Sequence, residues 1–222
     1  MSKPLLVFDM DGVLVDVTES YRETIVRTVE HFTGMTLNNE QIQDLKNQGG
    51  FNDDWILSHY IVTRAGFDVP FETVKEHFQR LFLGAGGIPG LILREQWIAR
   101  PGAFEKLAER YRFAVFTGRP RPEAQLTLDR FAPGLTFDPI IGMHDVTNHK
   151  PAPDGLLAIG DAAFYIGDSI DDARSASAAK VPFIGIAGPS NPRYLDLVFL
   201  FQEEGAYAIV DDINYLEEVF QS

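Results

Sequence analysis

Six short apolar runs constrain this chain more than any other feature. They are "LLVF" (Leu5 to Phe8), "FAVFT" (113–117), "PIIG" (139–142), "FYIGD" (164–168), "PFIGIAG" (182–188) and "YAIVDD" (207–212). Each has the length of a strand buried on both faces, and helical periodicity separates most of them. A βα series of this kind predicts an α/β fold, a doubly wound parallel sheet. Ligands of such sheets gather beyond the carboxyl ends of the strands. Three of the runs end in Asp9, Thr117 and Asp168.

Residues 17–98 have a different texture. They hold little that reads as a buried strand, but several amphipathic periods. Tyr21, Ile25, Val29 and Phe32 share one helical face; Asn38 and Asn39 can cap a helix carrying Ile42 and Leu45. Ile56, Tyr60 and Thr63 mark a third helix, and Phe71, Val74, Phe78, Leu81 and Phe82 a fourth, opened near Pro70. "GAGGIPG" (84–90) lacks the spacing of a dinucleotide loop and a preceding strand, and reads as a hinge or loop. The expected organisation is an α/β core domain of residues 1–16 and 99–222 with an α-helical insert of residues 17–98.

The net charge of −13 argues against nucleic acid as a partner, because a phosphate backbone demands a basic face. It leaves room for a small phosphorylated metabolite, since local cations can dominate one pocket. With no cysteine there is no disulfide, zinc–thiolate site or thiol nucleophile. No run reaches the length of a membrane span, and Asp9 comes too early for a signal-peptide core. A cytoplasmic protein, monomer or homodimer, is expected.

The first run closes on "FDMDGVLVD", two aspartates separated by one residue with Gly12 behind them. Alone, such a stretch reads as an acidic surface turn. Its companions change that reading. Asp9, Asp11, Asp168 and Asp172 are hard oxygen donors suited to Mg²⁺, which is held by a few carboxylates plus waters and substrate phosphate. Thr117 and Gly118 offer a hydroxyl and an unobstructed amide to a phosphate oxygen, and Lys150 a point charge to the same group.

Four blocks, "FDMDGVLVD", "VFTGR", "KPAPDGLL" and "YIGDSIDDARSASAAK", resemble the haloacid dehalogenase superfamily of aspartate-nucleophile phosphotransferases, in the expected order. The insert is similar to that superfamily's helical C1-type cap, as in phosphoglycolate phosphatase and β-phosphoglucomutase relatives. The resemblance implies that Asp9 attacks phosphorus and binds Mg²⁺, and that Asp11 protonates the leaving alkoxide and then activates water. It also implies that the Asp11 carbonyl and Asp168 ligate the metal, with Asp172 doing so directly or through water. Thr117, Gly118 and Lys150 would hold the phosphoryl group. Dehalogenases need no acid two residues after the nucleophile, so Asp11 favours phosphate chemistry. A Mg²⁺-dependent phosphoric monoester hydrolase is the expected function. A phosphomutase using the same nucleophile is the alternative, and a non-catalytic binding protein a more distant one.

The segment between Lys150 and Asp168 leaves little room for the superfamily's usual helix, and "SAAK" stands where a glycine commonly follows the alanines. "TGRP" and "LKNQGGFNDDW" resemble a phosphatase-like subgroup associated with histidine biosynthesis genes. Substrate specificity is expected from the insert, with Asn47, Asn52 and Trp55 in its glycine-containing loop as candidates. Arg119 reads equally as a substrate contact and as a surface ion-pair partner, and His144 and His149 as polar loop residues.

Overall fold

A computed structural model describes residues 3–221. The chain divides into two compact units, Met1–Val15 with Trp97–Ser222, and Asp16–Gln96.

The first unit is built on six strands: β1 (Leu5–Phe8), β2 (Arg112–Phe116), β3 (Phe137–Ile141), β4 (Ala162–Gly167), β5 (Phe183–Ile186) and β6 (Ala208–Val210). Every pairing is parallel, and the spatial order is β6-β5-β4-β1-β2-β3. The chain therefore winds outward twice from a central pair, and the order reverses between β1 and β4. That switch point is where a doubly wound sheet opens a crevice. In register, Phe8 lies opposite Val115 on one side and Ile166 on the other, so Asp9, Thr117 and Asp168 emerge from neighbouring strand ends. Leu6, Val7 and Phe8 are wholly buried, as a central parallel strand requires.

The second unit holds four helices, α1 (Glu23–Thr33), α2 (Asn39–Lys46), α3 (Asp54–Arg64) and α4 (Phe71–Leu83). Ile25 and Val29 of α1 are buried, together with Tyr21 just before it; the Tyr21 ring lies 4.0 Å from that of Phe82. Asn38 caps α2 through a reciprocal exchange with Gln41. The face of α3 differs from the expected one. Leu57, Ser58, Ile61 and Val62 are buried, whereas Ile56 and Thr63 are exposed. The segment read as a hinge or loop is a small antiparallel hairpin, Gly84–Ala85 against Ile88–Pro89. Gly86 and Gly87 turn it with φ of +60° and +81°, the two positive values that a type I′ turn needs.

The remaining helices belong to the sheet unit: α5 (Ala103–Ala108), α6 (Arg121–Phe131), α7 (Asp154–Ile159), α8 (Ile170–Ala179), α9 (Tyr194–Glu203) and α10 (Leu216–Val219). The short Lys150–Asp168 segment fits its helix by cutting α7 to six residues. Lys180 ends α8 in the left-handed conformation, φ +57°, where a glycine would meet no steric cost. Among the described residues, no helix is long and apolar enough to cross a membrane.

Candidate active site

Asp9 leaves β1 with its backbone N–H on the Ile166 carbonyl, so the chain stays locked to β4 for one residue beyond the strand. The backbone then closes on itself. The Met10 carbonyl accepts from the amides of Val13, Leu14 and Val15, and Gly12 takes φ of +72°. Gly12 is required by space as well as by angle. A Cβ built there would stand 1.9 Å from Asp168 Oδ2. The glycine after the paired aspartates thus lets the first acidic loop close on the second.

Lys150 is buried at the centre of this group. Its Nζ donates to Asp9 Oδ1 at 2.9 Å and to Asp172 Oδ1 at 2.6 Å. The Phe116 and Tyr165 rings flank the ammonium at 4.8 and 5.4 Å from their centroids. Burial pulls the Lys150 pKa down, but Asp172 and Asp9 together outweigh it and hold the pKa above the ordinary lysine value. The Asp9 carboxyl is pushed up to about 7, first by burial, with Asp172 and Asp11 adding to the rise and Lys150 opposing it.

Asp172 is occupied on both oxygens. Besides Lys150, its Oδ1 accepts from the Tyr165 hydroxyl at 2.6 Å. Its Oδ2 accepts from the Ser169 amide at 3.1 Å and the Ser169 hydroxyl at 2.7 Å. Ser169 and Asp172 form the capping box of α8, so the residue that anchors Lys150 is itself fixed by the start of a helix. Tyr165 and Ser169 were not among the residues expected at the site. The S-x-x-D spacing could have revealed Ser169; an aromatic inside a strand reads as packing and gave no such signal.

Arg119 points inward. It is 1 % exposed, and both its Nε and its Nη2 reach Asp11 Oδ1, at 2.6 and 2.5 Å. Its Nη1 donates to Thr127 Oγ1 at 3.0 Å, and its backbone N–H to Thr117 Oγ1 at 3.2 Å. The surface-pairing reading of Arg119 is therefore replaced by an ion pair between a buried guanidinium and a partly exposed carboxylate. Thr117 is buried at the end of β2, and Gly118 beside it is half-exposed.

Carboxylate oxygens of Asp9, Asp168 and Asp172 lie within 4.8 Å of one another, and no other such acidic or histidine cluster occurs among the described residues. His144 and His149 take no part in it. Hard oxygens, buried negative charge and a raised Asp9 pKa fit a small divalent cation, which would offset the repulsion that Lys150 alone leaves.

The remaining candidates lie in the helical unit. Asn47 ends α2, its Oδ1 accepting from Gln43 Nε2 at 2.8 Å. Asn52 is half-buried before α3. Trp55 is 6 % exposed in the first turn of α3, with the Lys75 ammonium 4.2 Å above its ring.

The sequence model of the family described as haloacid dehalogenase-like hydrolase matches residues 4–180. An imidazoleglycerol-phosphate dehydratase of Phytophthora nicotianae is 32% identical over 204 residues, 85% of this chain and 45% of the relative. The phosphoglycolate phosphatase of Escherichia coli K12 is 29% identical over 106 residues, 45% of this chain and 41% of the relative. The chain thus matches less than half the length of either curated relative. Among solved structures, phosphatase Tt82 from Thermococcus thioreducens superposes with a TM-score of 0.63 at 25% identity, covering 90% of this chain and 98% of that one. With its sheet order, its acidic strand ends and a match across most of its length, the chain belongs to the haloacid dehalogenase-like hydrolase family.

Proposed function

We propose that this chain is a Mg²⁺-dependent phosphatase that hydrolyses a small phosphomonoester through an aspartyl-phosphate on Asp9. The observation that carries this reading is Lys150, buried between Asp9 and Asp172 at the switch point of the sheet. There it can neutralise the nucleophile and draw in a phosphoryl group.

Lys150 engages only Oδ1 of Asp9, which leaves Oδ2 to attack phosphorus. Thr117 Oγ1, the Gly118 amide and Lys150 take the phosphoryl oxygens. As the bond from Asp9 to phosphorus forms, the bond to the ester oxygen breaks, and Asp11 gives that oxygen a proton. Asp11 then takes a proton from water, which attacks the same phosphorus. The Asp9–phosphorus bond breaks, releasing inorganic phosphate and returning Asp9 to its carboxylate and Asp11 to its protonated form. Asp9, Asp168 and the Asp11 carbonyl would hold Mg²⁺, which supplies charge neutralisation between carboxylate and phosphate when bound. Asp172, with four donors on its two oxygens, is the anchor of Lys150 in this scheme.

The test is phosphate release from a panel of phosphomonoesters, with chelator and with Mg²⁺ restored. The names of the two curated relatives put phosphoglycolate and imidazoleglycerol phosphate in that panel. Asp9→Asn should abolish release without unfolding the protein, because an amide cannot form the acyl-phosphate. Full turnover in a folded Asp9→Asn protein, or in chelator, would sink the mechanism. An isomerised sugar phosphate in place of free phosphate would make the enzyme a mutase.

A further inference from the structure

The helical unit carries a cavity of its own, about 620 Å³ and lined only by its own residues. That volume lies within the range of small-molecule sites. Arg27 and His31 reach it from α1, His77 and Arg80 from α4, and Arg94 from the short turn after the glycine hairpin. Five cationic or protonatable groups thus converge in a chain whose net charge is −13.

The intrinsic counterions are incomplete. Arg27 pairs with Glu23 one helical turn away at 2.6 Å. Arg94 and Glu19 stand 3.8 Å apart, each more than half exposed, and such a pair is worth little. Among the described residues, Arg80 has no carboxylate within ion-pairing distance. His31 and His77 stack at 3.9 Å with their planes 12° apart. Burial lowers the His77 pKa, and the His31 and Arg80 charges lower it further. The rim adds a second signal: Ile88 is 73 % exposed and Leu93 57 % exposed, and both line the cavity.

We propose that this cavity binds a small organic polyanion, with phosphate or carboxylate groups against Arg80, Arg94 and the histidine pair, and a flat or aliphatic body over Ile88 and Leu93. Single exposed ion pairs contribute too little to hold inorganic phosphate, so several charges and an apolar body must act together. This site is separate in its residues from the proposed phosphatase chemistry, and neither reading depends on the other.

The chain has five histidines, so ring C–H resonances in NMR report directly on the site. ADP, pyrophosphate and adenosine are titrated into the full chain with excess chelator present, which withholds the metal from the acidic cluster. His31 and His77 should shift saturably with ADP at a midpoint below ~1 mM, more weakly with pyrophosphate and not with adenosine. Arg80→Glu should raise the ADP midpoint at least about tenfold, and Arg94→Glu should act in the same direction. Both side chains are exposed, and an unchanged Tm of the free variants would show that the helical unit is intact. The proposal falls if His31 and His77 do not move, or if sodium sulfate at equal ionic strength moves them as much. It falls equally if the shifts fall on His144 or His149, or if both variants bind as well as the parent.

Discussion

Arg119 holds Asp11 by a single oxygen. Both Nε and Nη2 converge on Asp11 Oδ1, while Nη1 is tied to Thr127. Oδ2 is left for proton exchange with the leaving group, so Arg119 is a positioning residue in the proposed reaction. Displacing a catalytic carboxylate by an ångström costs about 10²-fold, within the range of general acid catalysis. Arg119→Ala should therefore lower kcat on alkyl phosphates by about 10²-fold. Aryl phosphates, whose leaving groups need little protonation, should lose much less. Arg119→Lys should recover part of the alkyl activity. Equal losses on both substrate classes would show instead that Arg119 supports phosphate binding.

Gly12 predicts a separation of metal affinity from folding. A methyl group there would have to displace Asp168 Oδ2, from 1.9 Å, and would hold φ at +72° at a cost of about 1–2 kcal/mol. Gly12→Ala should fold with a modestly lowered Tm, while the Mg²⁺ concentration for half-maximal turnover rises about 10- to 100-fold. An unchanged Mg²⁺ requirement would remove Asp168 from the proposed ligand set.

The sheet was legible because strands buried on both faces read as unbroken apolar runs, and β1 to β6 each lie on one of them. The residue types at the strand ends were equally plain, since Asp9, Thr117 and Asp168 interrupt those runs. What the residues touch was harder to read. Arg119 follows a strand as a surface arginine does, and it turns inward only because Asp11, 108 residues away, is folded beside it. Tyr165 looks like any aromatic in a strand until its hydroxyl is seen on Asp172. In α3, apolar residues occupy more than one face, so periodicity selected Ile56 and Thr63 where packing buries Leu57 and Ile61. The glycines of the hairpin obscured it by looking like a loop, although paired glycines are also the signature of a tight type I′ turn.

Trp55 is expected to act on stability. The sequence offers it as a specificity candidate, but it is nearly enclosed, with Lys75 over its ring. Truncating a buried tryptophan removes ~3–5 kcal/mol, and the lost cation–π contact about 0.5–1 kcal/mol of that. Trp55→Ala should lower the denaturation midpoint sharply, and Trp55→Phe much less. Asn52, half-buried in the preceding loop, remains the better probe of specificity. Asn52→Ala should lower kcat/KM for the preferred metabolite more than for a small artificial phosphate. A Trp55→Ala protein of normal stability with the same selective loss would return Trp55 to the substrate.

The acidic cluster makes stability depend on pH and metal together. In metal-free protein the Asp9 carboxyl is raised from 3.8 to about 7, by burial first and then by Asp172 and Asp11. Between these values the folded chain keeps a proton that the unfolded chain has released. Folding therefore takes up a proton, and this contribution to stability falls as pH rises from about 4 to about 7, by at most ~1.4 kcal/mol per pH unit. Lys150 does not alter the sign in this window. Its raised pKa adds stability that is fully present below 10.5 and lost only above it. Asp9→Asn removes the titrating group, so the difference in Tm between the chelated parent and Asp9→Asn isolates the effect from other carboxylates. The parent should lose ground to the variant as pH rises from 5 to 8. Mg²⁺ favours the charged carboxylate, so the Tm increase it gives the parent should grow over the same interval. A Mg²⁺ effect independent of pH, or an equal one in Asp9→Asn, would mean that the ion stabilises the fold without engaging Asp9.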